Sequence, residues 1–153
     1  MKNSFKIIVT IFLLTIISLF IYQTKYPLSS KDSLVGCYVA NLEKDVYGVN
    51  ILSQEGQTVK GFLSFKNFEK DSSSGDFEGV YRNGILSGTY SFQSEGATSI
   101  LEVAFKKTEE GLIRGFGEMS EEGDHFANIN KIEYSTSTVF KPSRLGCEKP
   151  DNQ

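Results

Sequence analysis

The residues that could do chemistry in this 153-residue chain are few. Its single histidine, His125, closes the run Glu121-Glu122-Gly123-Asp124-His125, a cluster of donors of the kind a metal ion uses. The spacing fits no established metal loop, and an acidic hairpin tip accounts for it, so no metal site is expected. A Ser-His-Asp or Cys-His nucleophile would have to use His125 as its base, with the cysteines already oxidised. Glu102 and Glu118 could face each other as acid and base across neighbouring strands. With Arg114 and Lys106 on the same face, cross-strand ion pairing is the simpler use of those carboxylates. The side chains therefore point away from an enzyme and call for no cofactor.

The two cysteines, Cys37 and Cys147, lie near the two ends of the region left after the N-terminus. In an exported chain an even pair reads as a disulfide. Closing so long a loop is worth up to about 4 to 5 kcal/mol in the loop-entropy treatment, and it requires the first and last strands to lie side by side.

Export is written into residues 1–31. Lys2 and Lys6 precede an uncharged apolar run from Ile7 to Tyr22, expected to form a hydrophobic helix, and Lys25 and Lys31 follow it. The segment after the run offers no A-x-A-like cleavage site, which favours an uncleaved signal-anchor holding the chain to the inner membrane. A cleaved signal peptide and secretion is the alternative, because the run is short for a spanning helix. Either way the remainder belongs in the periplasm or outside the cell. The expected organisation is a leader and linker over 1–31, one domain over 32–148, and a polar tail over 149–153. Four of the 16 basic residues precede Asp32, leaving 12 against all 19 acidic ones, a formal balance of −7 for the exported part. That balance argues against nucleic acid as a partner, which needs a basic footprint.

The elements repeat. Gly61, Gly88 and Gly115 stand 27 residues apart, each preceded at two residues by an aliphatic (Val59, Leu86, Ile113) and followed at four by Phe65, Phe92 or Met119. Upstream of each lies a turn signal, with Asn83-Gly84 the strongest, and before each turn another β-like run. Three hairpins on one plan, a first strand at "GCYVANL" and further strands in "HFANINKIEY" and "STVFK" make an antiparallel meander of eight or nine strands. The fold expected is all-β, a small meander barrel of calycin-like architecture, with a two-sheet sandwich as the alternative.

Alternation assigns the faces. Val59, Gly61, Leu63 and Phe65; Phe77, Gly79 and Tyr81; Leu86, Gly88, Tyr90 and Phe92; Leu101, Val103 and Phe105; and Ile113, Gly115, Gly117 and Met119 are placed inside. Lys60, Glu78, Arg82, Glu102, Lys106, Arg114 and Glu118 are placed outside. Glycines inside a strand let a sheet coil tightly. The other reading of them is an internal pocket bounded by Tyr81, Tyr90 and Phe92.

After Phe92 comes a polar turn, Gln93, Ser94 and Glu95, that strand pairing alone does not explain. With Tyr81, Tyr90, Phe92 and Arg114, these three make the candidate binding set. The order "EKD", "GDFEG", "YSFQSEG", "SILEVAF" and "GFGEM" over 69–119 resembles a group of small bacterial envelope proteins, many of them lipoproteins, of no established activity. The resemblance implies an envelope location and a β architecture. It departs from the lipoprotein type in having no cysteine after the leader.

The function expected is a small envelope binding module taking an apolar or amphipathic ligand in the barrel or at its rim. The alternatives are a protein-protein interaction or inhibitor role through the 66–76 and 120–126 loops, and, further off, a carboxylate-dependent enzyme.

Overall fold

Apolar residues recurring at alternate positions allow one side of most strands from Gly36 onward to be buried, and eight strands result. The computed structural model describes Thr15, residues 33–94 and residues 97–144. The strands are β1 (Gly36–Leu42), β2 (Asp45–Glu55), β3 (Thr58–Lys66), β4 (Ser73–Arg82), β5 (Ile85–Ser94), β6 (Ala97–Lys107), β7 (Leu112–Phe116) and β8 (Glu133–Ser143). Each pairs antiparallel with the next, and β8 returns to β1 through Cys37 with Ser143, Tyr38 with Pro142 and Val39 with Lys141. The meander is thus a closed barrel and not a sandwich, and closure leaves no sheet edge to template association. By its contacts the chain divides into Met1–Ser33 and Leu34–Gln153. The apolar run Ile7 to Tyr22 apart from Thr15, together with Glu95, Cys147 and the 149–153 tail, lies outside the described residues. Among the described residues no helix is long and apolar enough to cross a membrane.

The barrel has two unlike ends. The β2–β3, β4–β5 and β6–β7 connections are tight, and the β4–β5 turn is the Asn83-Gly84 pair, both residues at positive φ (52° and 80°), as a two-residue hairpin requires. This end is closed by Leu34, whose side chain is fully buried. Its N–H donates to Gln54 Oε1 at 2.8 Å, and Tyr38 Oη donates to its carbonyl at 3.0 Å. A shift in register between Ile51 and Ser53 places Gln54 opposite the buried Val59. The opposite end carries the β1–β2, β3–β4, β5–β6 and β7–β8 connections and is called the loop end below.

Inside, the register brings Val49 opposite Leu63, Tyr90 opposite Phe77 and Leu86 opposite Phe105, all buried. Gly79 faces Gly88 across β4 and β5. A Cβ on Gly88 would run into the Glu78 carbonyl and the Gly79 Cα, so these strands approach too closely for any side chain there. A Cβ on Gly79 would come within 2.6 Å of the Phe77 ring. The glycines thus permit coiling, and the space they leave is taken by Phe77, which is 1% exposed. The pocket reading of these glycines gives way to that ring.

β7 departs from the expected phase. Arg114 pairs with Phe105 and Leu112 with Lys107 and Phe140, so the inward positions are Leu112 and Arg114, not Ile113, Gly115, Gly117 and Met119. Ile113 and Gly115 are buried all the same, from outside. Residues 117–132 fold back over the outer face of β6 and β7. Met119 bridges Phe126, the Glu102 N–H donates to the Asp124 carbonyl at 2.6 Å, and Phe126 N–H donates to Glu102 Oε2 at 2.8 Å. A Cβ on Gly115 would meet Ile132 and the Tyr134 ring. The expected strand in "HFANINKIEY" is this covering segment, with a single 3-10 turn at Ile129–Lys131, and β8 begins only at Glu133.

Candidate functional site

At the loop end the inward side chains stop being uniformly apolar. Tyr47 of β2 stands opposite Phe65 of β3, which stands opposite Ser73 of β4. Tyr90 and Phe92 follow on β5, and the long Arg114 side chain reaches this group from β7 by its contact with Phe65. Tyr47 and Phe65 meet edge to face at 5.4 Å, Phe65 and Tyr90 likewise at 5.5 Å, and Tyr90 stacks on Phe92 at 4.7 Å. Such geometries add about 0.5 to 1.5 kcal/mol per pair beyond burial and hold the rings in fixed places.

Arg114 enters this aromatic wall. Its Cζ lies 4.6 Å from the Phe65 ring centre and 5.4 Å from that of Phe116. Among the described residues no carboxylate pairs with it and no acceptor takes its hydrogen bonds; the two ion pairs there are Lys60–Glu78 and Asp124–His125. Every fully buried side-chain nitrogen or oxygen among them does have a partner. The guanidinium donors are therefore only partly buried, facing space that a ligand or water can reach. The barrel wall beside Arg114 is also interrupted: β8 pairs Val139 with Ile113 and then Tyr134 with Gly115, leaving Ser135, Thr136, Ser137 and Thr138 to span the interval.

The phenols around it are already committed. Tyr90 Oη donates to Ser73 Oγ at 3.0 Å. Tyr47 Oη lies 2.9 Å from Asn67 Oδ1 and 3.1 Å from Asp45 Oδ2, and Asp45 Oδ1 accepts from the Phe68 N–H at 2.7 Å. Burial lowers the Arg114 pKa from its ordinary value, opposed by the Tyr47 and Tyr90 hydroxyls, yet a guanidinium stays charged. Burial raises the Tyr90 pKa, against the Ser73 hydrogen bond and the Arg114 charge. Tyr47 is raised by burial and then by Asp45, with Arg114 opposing. The arrangement amounts to a fixed cation on an aromatic floor whose donor capacity nothing in the described chain uses.

A groove of about 660 Å³ runs along Phe116 to Glu118 and Asn130 to Glu133, where β7 ends and β8 begins. Phe116, 57% exposed, belongs both to this groove and to the Arg114 surroundings.

Of the residues singled out from sequence, Tyr90, Phe92 and Arg114 come together here. Tyr81 does not: it pairs with Leu86 at the other end, its N–H bonded to the Gln57 carbonyl. Gln93 is exposed and donates to Thr98 Oγ1 at 2.9 Å, a cross-strand bond in the β5–β6 ladder. Ser94 ends β5, with its side chain, like Glu95, outside the described residues. Tyr47, Phe65, Ser73 and Phe116 were not anticipated. Alternation places Phe65 inside, and Tyr47 is its register partner on β2; alternation alone does not bring the Arg114 side chain to them.

The cross-strand ion pairs expected of Glu102 with Arg114 and Lys106 do not form among the described residues; the Glu102 carboxylate accepts the Phe126 amide instead. The 120–125 segment is a turn: Gly123 at φ 76°, Ser120 Oγ donating to Asp124 Oδ1 at 3.1 Å, and His125 Nδ1 2.6 Å from that same oxygen. The Asp124 pKa is lowered by its bonds to His125 and then Ser120. Among the described residues no group of three or more acidic, histidine or cysteine side chains is placed to hold a metal.

No protein family, curated protein or solved structure matches the chain.

Proposed function

We propose that the chain is a small binding module of the bacterial cell envelope, anchored to the inner membrane by its leader or released after cleavage, that takes a small ligand at the loop end of the barrel. The observation that carries this reading is Arg114, a partly buried cation with aromatic neighbours, no ion-pair partner among the described residues and donors still open to solvent. A cation brought into a barrel costs desolvation, and an ion that enters from outside offsets it. The leader, the acidic balance of the exported part and the resemblance to small envelope proteins support the location. The same reading joins Cys37 to Cys147: no described cysteine is a free thiol, and Ser143, four residues before Cys147, is the register partner of Cys37.

Native mass spectrometry of the chain isolated from envelopes tests this. The expected result is a mass retaining the leader, two hydrogens short of the reduced chain, with a small non-covalent adduct that Arg114→Gln loses. An adduct that survives Arg114→Gln overturns the placement of the site.

A second reading, docking of an envelope protein, is favoured by one observation. Phe68, Phe116 and Ile129, all in or beside loop-end connections, are 44%, 57% and 49% exposed. Cross-linking from these three positions, with a discrete protein captured and no adduct in the mass spectrum, is the outcome that would select it.

A further inference from the structure

We propose that the ligand is a small monocarboxylate with an apolar body, its carboxylate gripped by the Arg114 guanidinium at the loop end and its body laid over Phe116 into the groove beside Ile132. This rests on the ligand-binding reading above and gives it a chemical class.

The charge argument comes first. Arg114 is one cation, and the phenols nearest it already spend their hydrogen bonds on Ser73, Asn67 and Asp45. A guanidinium fork matches a carboxylate with two parallel N–H···O bonds and neutralises it one for one. A phosphate monoester carries close to two charges at neutral pH, more than one guanidinium neutralises. A neutral ligand would leave the guanidinium uncompensated. One negative charge on a planar two-oxygen group is what the site completes.

The shape argument decides where the rest of the ligand goes. Further in, Val49 and Leu63, which face each other across β2 and β3, and Phe77 and Phe105 are all 0 to 1% exposed, so a tail cannot run down the barrel axis. The way out from Arg114 passes over Phe116, whose ring centre is 5.4 Å from the guanidinium carbon, and into the groove that Phe116 shares with Ile132. Glu118, Lys131 and Glu133 border the groove, and the Phe116 and Ile132 side chains between them receive the apolar body. A groove of this size suits a body of several carbons, and about 0.8 kcal/mol per buried methylene gives the binding a dependence on chain length.

A free fatty-acid-like molecule and the C-terminal carboxylate of a short apolar peptide share this chemistry. The experiment uses the full-length chain held in phospholipid nanodiscs, labelled with ¹⁵N-arginine. The sequence has three arginines, Arg82, Arg114 and Arg144, so three side-chain Nε resonances result, and Arg114 is assigned by its loss in Arg114→Gln. Octanoate, octanol and N-acetyl-leucyl-leucine are titrated, and affinity is followed in each variant through a ¹³C-carboxylate label.

The expected result is a saturable shift of the Arg114 resonance alone with octanoate or the peptide acid, the tighter of the two naming the source, and no shift with octanol. Arg114→Gln weakens binding at least about tenfold, the loss of charge-assisted hydrogen bonds. Arg114→Lys, which keeps the charge, weakens it less, and Phe116→Ala flattens the gain from acetate to octanoate. Octanol binding as well as octanoate, with Arg114→Gln indifferent, overturns the carboxylate assignment while the binding module stands. No response of the Arg114 resonance to any of the three overturns both readings.

Discussion

Arg114 stands opposite Phe105 across the β6–β7 ladder, and its guanidinium carbon lies 4.6 Å above the Phe65 ring. The pairing with Phe105, which is fully buried, is what makes Arg114 an inward residue. Its contact with Phe65 is worth about 0.5 to 2 kcal/mol as a cation over an aromatic face. That gain competes with the desolvation of a charge that has no anion beside it, which is of several kcal/mol in a protein interior and less here because the donors still meet solvent. The folded barrel therefore does not depend on Arg114.

Replacing it shows the difference between a stabilising and a recognising residue. Arg114→Met keeps the length and the packing on Phe65 and removes the charge. We expect urea unfolding to give equal or greater stability, by up to about 1 kcal/mol. A loss above that would mean that the guanidinium holds the fold together, which its lack of partners does not support.

Gly88 is the opposite case. Its Cβ position is occupied by the Glu78 carbonyl and the Gly79 Cα of the neighbouring strand, both backbone, so nothing flexible can move aside. Gly88→Ala is expected to cost about 2 kcal/mol or more. Thr89→Ala, one residue along on the solvated face, should fall within about 0.5 kcal/mol of the parent. Denaturation midpoints of the two variants check this.

The barrel was legible in the sequence because β3 to β6 carry large apolar residues at alternate positions. Val59 to Phe65, Phe77 to Tyr81, Leu86 to Phe92 and Leu101 to Phe105 all face inward as alternation assigns them. β7 was misread for a physical reason. Both faces of Leu112–Phe116 are covered, one by the barrel interior and the other by residues 117–132, so Ile113 is buried on the outside and the apolar pattern loses its phase. The repeat with Gly61 and Gly88 then pulled Gly115 inward by analogy. What Gly115 accommodates is Ile132 and Tyr134 of the covering segment. The same loss of phase sets Arg114 on the outer face by alternation, whereas its guanidinium lies over Phe65 inside the barrel.

Glu102 ties the covering segment down. Its Oε2 accepts the Phe126 N–H at 2.8 Å, while its own N–H donates to the Asp124 carbonyl at 2.6 Å. Glu102→Ala leaves the Phe126 amide without its side-chain acceptor and is expected to cost about 1 to 2 kcal/mol. The specific signature is faster hydrogen exchange at Phe126 and Ala127 with the β2–β5 amides unchanged. Glu102→Gln, which keeps an acceptor oxygen, should restore most of the protection.

The tyrosines set the alkaline limit of the barrel. Burial raises the pKa of Tyr38, Tyr90 and Tyr134, and burial together with Asp45 raises that of Tyr47. In the unfolded chain each would ionise near 10. Because the folded values lie above the unfolded ones, the folded state holds these protons longer. Their contribution is fully present below about pH 10 and is lost as pH rises through the folded values, as the unfolded chain gains from ionising first. Of the seven tyrosines in the chain, these four should titrate late when phenolate absorbance is followed. Unfolding midpoints in urea should stay level up to about pH 10 and fall beyond it, and Tyr90→Phe should shift part of that fall, since it removes the phenol most deeply buried at the mouth. A decline that begins near neutral pH would place the controlling group elsewhere.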